Sequence, residues 1–350
     1  MKALVLHGVD DLRLEEVETP SPGPGEALIK VKAAGICGSD VPRVNAGAAH
    51  FYPIILGHEF SGIIEGLGED CQEYGLKVGQ HATAAPLIPC MRCADCQKGD
   101  YSLCRHYSFI GSRVNGAFAE YVTVPARNVV PLDPSIPFVD GALFEPSTVA
   151  LHGVWGCGFR GGEDVAVLGF GTIGYFTAQW ARLLGAKRLA VFDISEERLE
   201  LARQIGADKA FNSSVNGTPE EALEFTKGSG YGYVFETAGQ NNAMSLAFEL
   251  AGNKATVCFV GTASKDLNFG WKLFEKLNRK EFWLSGSWMS YSPPFPGREW
   301  TMTNEYLANG RLVLDKSLLF KTFPLEDGAK AFRLFKQRGA VKGKIMLLND

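Results

Sequence analysis

At 350 residues the chain is long for one hydrophobic core, so two domains are expected. Hydrophobic residues make up 46% and charged residues 21%, and the net charge of -4 argues against a general nucleic-acid binder, which carries a basic face. No apolar run reaches the ~18 residues of a membrane span, and the first stretch turns charged too soon for a secretory signal.

In chain order, Ala3 to Leu6 and Glu26 to Ala33 read as strands, separated by a loop that Pro20, Pro22 and Pro24 punctuate with their glycines. The segment Gly35-Ile-Cys37-Gly-Ser39-Asp40 follows, then Gly57-His58-Glu59-Phe-Ser-Gly62, and Ile63 to Gly68 continues the β pattern. Before the strand expected at Ala119 to Val124 lies Cys90-x2-Cys93-x2-Cys96-x7-Cys104. Four soft thiolates close a tetrahedral shell around Zn²⁺ with no position left open, so a zinc here is a structural staple. Two disulfides are the competing reading, but the run is too short and regular for a disulfide framework. With four of the eight cysteines in this loop, a reducing, cytoplasmic setting is expected.

The texture changes near residue 150. Val165 to Leu168 is the short apolar run of a strand covered on both faces. Thr172 to Leu184 has helical spacing and stops at Gly185; Arg188 to Phe192 reads as a strand, and Glu196 to Ile205 as a helix closed by Gly206. Tyr233 to Thr237, Ala255 to Val260 and Phe282 to Trp288 are further strands, so the fold class is α/β with a doubly wound parallel sheet. After Pro293-Pro294 the pattern turns mixed, and the tail is expected to rejoin the first domain. The expected division is 1–150 with 288–350, and 151–287.

Gly169-Phe-Gly171-Thr172-Ile173-Gly174 follows a strand and opens a helix, the Rossmann arrangement for a pyrophosphate at a helix N-terminus. Asp193 closes the next strand, where a carboxylate bonds the adenosine ribose hydroxyls and opposes a 2′-phosphate, favouring NAD over NADP. Arg198 is a candidate for the adenine side, or a plain surface arginine.

Cys37, His58, Glu59 and Glu145, the last in Phe144-Glu145-Pro146, supply one thiolate, one imidazole and carboxylates for an open, catalytic zinc. Such an ion acidifies an alcohol hydroxyl, and hydride can then pass to a neighbouring nicotinamide. Whether Glu59 or Glu145 is the fourth ligand stays open. Ser39, two residues after Cys37, is a candidate to pass the alcohol's proton toward solvent. Each ligand alone has a bland alternative: a core cysteine, a satisfied buried histidine, a carboxylate ending a helix. His7, His81 and His106 take that bland reading.

These residues together are recognisable. Gly57-His58-Glu59-x2-Gly62-x5-Gly68-x2-Cys71, with the cysteine loop, resembles the signature of zinc-containing medium-chain alcohol dehydrogenases. The resemblance covers essentially the whole chain. It implies a split GroES-like catalytic domain around a Rossmann domain, catalysis in an interdomain cleft, and a homo-oligomer, commonly a dimer or tetramer. Cys37 to Arg43, His50 to His58, Phe109 to Arg113 and Gly286 to Gly297 resemble the branch that oxidises phosphorylated hexitols with NAD, galactitol 1-phosphate to tagatose 6-phosphate. Many members carry a relay histidine where this chain has Pro42.

A polyol phosphate needs a fixed cation, and a guanidinium suits phosphate best. Arg113, Arg43 and Arg298 are candidates for it, and His50, Tyr52, Trp288 and Tyr291 for a polyol channel; solvated arginines and core aromatics are the alternatives. Lys344 resembles a family position near the cofactor pyrophosphate, with surface placement equally open. The competing functions are a dehydrogenase of an unphosphorylated polyol or L-threonine, and a catalytically silent dinucleotide-binding protein.

Overall fold

The computed structural model describes residues 1–263, 265–337 and 339–349. It divides into two compact units, Met1–Glu145 with Tyr291–Asp350, and Pro146–Ser290.

The first unit is built on Glu26–Gly35. Its alternation is strict: Ala27, Ile29, Val31 and Ala33 are fully buried, while the intervening Leu28, Lys30 and Lys32 are partly exposed. This strand pairs antiparallel with Glu59–Leu67, with Tyr121–Pro125 and with Lys344–Leu348. They belong to a seven-stranded sheet that also holds His81–Ala84, Val129–Pro131 and Leu319–Pro324, beside a three-stranded sheet of Asp11–Glu16, Lys2–Gly8 and Ile54–Ile55. Phe60, Phe118, Phe332, Ile345 and Leu347 fill the core between them. Tail residues thus pair with the first domain's main strand. The short, Lys-led run at Lys344–Leu348 gives too little alternation to be read as a strand unaided.

In the second unit six strands lie in the order Lys209–Asn212, Arg188–Asp193, Asp164–Leu168, Tyr231–Glu236, Ala251–Phe259 and Trp283–Gly286. All five pairings are parallel. The strand order reverses between Asp164–Leu168 and Tyr231–Glu236, which sets the crevice of a doubly wound sheet above the glycine loop. Helix Thr172–Leu183 is buried from Gly174 to Ala181 and ends before Gly185, whose φ of +95° only glycine adopts freely. Asp164–Leu168, Tyr231–Glu236 and Ala251–Phe259 start earlier than the apolar pattern suggests, while Trp283–Gly286 is shorter than the 282–288 expected. Lys209–Asn212, partly exposed throughout, escapes that pattern altogether.

Candidate metal and dinucleotide sites

The four loop cysteines bring their Sγ atoms within 4.8 Å of one another. Cys90 and Cys96, and Cys93 and Cys104, stand 4.0 Å apart. A Zn–S bond of about 2.3 Å implies tetrahedral sulfur–sulfur edges of roughly 3.8 Å, so the cage has the right size for zinc. Backbone N–H groups donate to the sulfurs, Cys90 N to Cys104 at 3.2 Å and Cys93 N to Cys90 at 3.3 Å. Backbone N–H groups of Cys96 and Arg105 pull the Cys93 thiol down to about 6, so it is largely thiolate at neutral pH.

The second cluster comes from sheet register. Gly35 lies opposite Glu59, so Cys37, just past one strand end, meets His58 and Glu59 at the start of the other. Their ligand atoms lie within 4.8 Å of one another, and the mixed thiolate, imidazole and carboxylate set suits a catalytic zinc. His58 and Glu59 are buried. Burial, then the Glu59 carboxylate, pushes the Cys37 thiol up, a cost that a bound cation removes. Glu145 opens helix Phe144–Gly156 and is buried. It is not one of the three atoms that converge, but it is close enough to feel them: burial first, against the opposing charge of His58, pushes its carboxyl up to about 7. Ser39 Oγ donates to Cys37 Sγ at 3.3 Å and is exposed, so it borders both the thiolate and solvent.

Two supporting residues take roles that the sequence did not assign them. Asp40 is fully buried; its Oδ2 accepts from Cys37 N at 3.1 Å, and its Oδ1 lies 3.6 Å from His58 Nδ1. That is too long for a hydrogen bond, yet it leaves a carboxylate behind the ring to orient it. The signal was present as the Asp of Cys37-Gly-Ser-Asp40, without anything local to show that it turns inward. Lys344, left open between a place near the cofactor pyrophosphate and the surface, is the other: it is buried, so not at the surface, ion-paired with Glu59, and donates to Ile36 O at 3.2 Å. A buried ammonium is tolerated because Glu59 and a carbonyl satisfy it.

Most of the substrate candidates lie at the surface. His50, Tyr52 and Arg113 are exposed. Arg113 sits 4.4 Å over the Tyr107 ring and donates to the Tyr107 hydroxyl at 3.3 Å. Arg298 is exposed at the start of helix Arg298–Ala308, and Trp288 is exposed in the second unit. Tyr291 is a correction. It is buried, stacked on Phe295 and Trp300, and its hydroxyl accepts from Leu87 N at 3.0 Å, so it packs the core rather than a channel. His81 packs against Phe138 and His7 pairs with Glu15, away from either cluster.

At the glycine loop, Gly169 N donates to Phe192 O at 2.7 Å and Phe170 N to Asp193 Oδ2 at 2.6 Å. A Cβ on Gly174 would lie 1.9 Å from Gly169 O, so only glycine lets the helix close onto the loop. Asp193 is buried, its second oxygen accepting from Ser195 N at 2.9 Å, with Arg198 Nη1 3.6 Å away. Glu236, which the sequence reading passed over, ends its strand fully buried and accepts from Ala238 N and Gly239 N, both at 2.9 Å. It shapes the turn facing the glycine loop across the strand-order reversal.

Comparison with known proteins agrees with this chemistry. Residues 23–134 match the family described as alcohol dehydrogenase GroES-like domain, and residues 172–304 that described as zinc-binding dehydrogenase. Galactitol 1-phosphate 5-dehydrogenase of Escherichia coli K12 is 41% identical over 331 residues, 92% of each chain. An erythritol/L-threitol dehydrogenase of Mycolicibacterium smegmatis is 30% identical over 95% of this chain and 94% of its own. The crystal structure of galactitol-1-phosphate dehydrogenase from Escherichia coli superposes with a TM-score of 0.93 at 39% identity, covering 100% of both chains. A zinc-binding dehydrogenase from Sinorhizobium meliloti 1021, bound to NADP, gives 0.89 at 29% identity, covering 99% of both. With two metal-ligand clusters and a Rossmann glycine loop in place, the chain belongs to the zinc-containing, GroES-like alcohol dehydrogenase family, oxidoreductases that act on CH–OH groups.

Proposed function

We propose that the protein oxidises a secondary alcohol of a polyol phosphate, galactitol 1-phosphate to tagatose 6-phosphate, with NAD and two zinc ions per chain. The observation that carries this reading is the convergence of Cys37, His58 and Glu59 beside the hydroxyl of Ser39. Zinc held by those ligands supplies Lewis acidity to the substrate oxygen, and NAD supplies the hydride acceptor. Oxidation to the ketone removes a hydride from the carbinol carbon and a proton from its oxygen. Ser39 Oγ receives that proton; because Pro42 fills the usual relay slot, exposed Ser39 hands it directly to water. Asp40 holds the His58 ring, Lys344 balances the Glu59 charge, and Glu145 is the alternative carboxylate ligand.

The choice of NAD over NADP rests on Asp193, whose buried carboxylate ends the second strand and repels a 2′-phosphate. Gly169, Gly171 and Gly174, with the N–H groups of Thr172 and Ile173, hold the pyrophosphate, and Arg198 flanks the adenosine. Arg113 holds the substrate phosphate, with His50 and Tyr52 beside the polyol. The setting is the reducing cytoplasm, and the assembly a homo-oligomer: Trp283–Gly286 is the last strand of its sheet, and exposed Trp283 and Leu284 on it offer an edge to a second copy. A monomer mass by light scattering would refute that assembly.

The deciding experiment is a substrate panel with NAD and NADP in parallel. A large preference for galactitol 1-phosphate over galactitol, weakened in Arg113→Ala, is expected. Equal rates on the two, or faster turnover of erythritol or L-threonine, would reject the phosphate reading, and a preference for NADP would reject the role given to Asp193.

A further inference from the structure

Arg43 stands where metal site and solvent meet. Its Nη1 donates to Ser39 Oγ at 3.0 Å and to Asp40 Oδ1 at 3.1 Å, so one nitrogen ties the proton-accepting hydroxyl to the carboxylate behind His58. Only Nη1 is engaged in these bonds, and the side chain keeps 17% of its surface exposed. The guanidinium therefore presents a second edge, Nε and Nη2, without a protein partner among the described residues. The charge on Arg43 is felt nearby: burial, then the charges of Arg113 and Arg43, holds the His50 imidazole below its ordinary value.

We propose that Arg43 couples the anionic end of the substrate to the proton-accepting end of the site. Nη1 pins Ser39 and Asp40, and the free edge binds a phosphate-monoester oxygen. Two hydrogen bonds of about 3 Å each and the width of a guanidinium span the few carbons between a phosphate ester and a secondary hydroxyl. Arg113 supplies affinity for the same anion from the rim. A bound dianion stiffens Arg43, and Arg43 in turn holds Ser39 Oγ at the substrate oxygen. Phosphate thereby raises turnover as well as binding, which is how energy from a remote group is used for rate. Arg43 is thus a positioning residue, and lysine cannot replace it because one ammonium cannot hold Ser39 and an anion through a rigid fork. This inference rests on the phosphorylated substrate proposed above.

The test cuts the substrate in two: turnover of galactitol is measured with and without inorganic phosphite, a free dianion. In the wild type, phosphite is expected to raise kcat/KM for galactitol by roughly tenfold or more, the size of one charge-assisted hydrogen bond. Arg43→Gln and Arg43→Lys should both lose that activation and lose kcat on galactitol 1-phosphate, with zinc content and NAD binding unchanged. Arg113→Ala should need more phosphite yet reach the same maximal activation. Absence of activation in the wild type, or activation surviving in Arg43→Gln, overturns the coupling while leaving a measured phosphate preference intact. So does a pure KM effect in Arg43→Gln, or its loss of zinc. Equal wild-type rates on galactitol and its 1-phosphate sink the proposed function itself.

Discussion

The cysteine loop and the Cys37–His58–Glu59 cluster both gather ligand atoms within 4.8 Å, by opposite routes. The loop does so locally: four like ligands lie between positions 90 and 104, and the loop's own N–H groups are aimed at its sulfurs. The second cluster is assembled at long range. Cys37 and Glu59 meet because Gly35 is in register with Glu59, and the Lys344 that balances Glu59 arrives from 285 residues away. The loop is self-contained, while the second cluster depends on several strands ending in register. A change in the loop should therefore weaken the fold before the chemistry, and a change at the register point the chemistry before the fold.

The largest effect is expected where the open site loses a ligand. Cys37→Ser should lower kcat/KM for the alcohol by roughly a thousandfold or more, the loss of several kcal/mol of charge stabilisation. NAD binding, followed by fluorescence quenching, should persist because the glycine loop lies in the other unit. Wild-type turnover in this variant would refute the mechanism.

Cys93→Ser sets the opposite expectation. Opening the cage should cost one zinc per chain by elemental analysis and several kcal/mol of metal-linked folding energy. An apparent Tm lower by about 10 °C follows. Chain that remains folded should keep its kcat within a few-fold, since the Cys37 cluster does not draw on the loop. An unchanged Tm would remove the structural role; a selective loss of kcat at normal Tm would move the loop into the chemistry.

The same contrast decides what could be read from the sequence. The cysteine loop and Gly169 to Gly174 were legible because their ligands or anion-facing groups lie within one short segment, where spacing is geometry. Cys37, His58 and Glu59 were legible only through residue type and family signature, since a sheet register is not visible in spacing. Asp40 and the pairing of Lys344 with Glu59 stayed hidden for the same physical reason. A short Asp after a strand, or a Lys near the end of a chain, reads as solvated unless the partner that buries it is known. Tyr291 shows the converse: an aromatic in a segment resembling a polyol-phosphate branch turned out to be core, held by Trp300, Phe295 and a backbone N–H. The central Rossmann strands, Asp164–Leu168 and Arg188–Asp193, were readable because burial leaves a near-continuous apolar run; Lys209–Asn212, at one sheet edge, had none to show.

The smallest predicted effect sharpens the comparison most. A Cβ at Gly35 would lie 2.5 Å from Glu59 Oε2 and 3.6 Å from Lys344 Cδ. Gly35 is not among the positive-φ glycines, so alanine fits the backbone, and the clash is with a carboxylate end alone. That end cannot simply swing away, because Glu59 is buried and ion-paired with Lys344. Gly35→Ala should therefore move the carboxylate relative to Cys37 and His58 without breaking the sheet. A ten- to hundredfold loss of kcat/KM is expected, of the order seen when the support of a metal ligand is disturbed, with destabilisation of about 1–3 kcal/mol from overpacking. The zinc of the cysteine loop should stay. If activity and Tm are both unchanged, the Glu59 carboxylate has no role at the place where strand register puts it, and Glu145 becomes the carboxylate that matters.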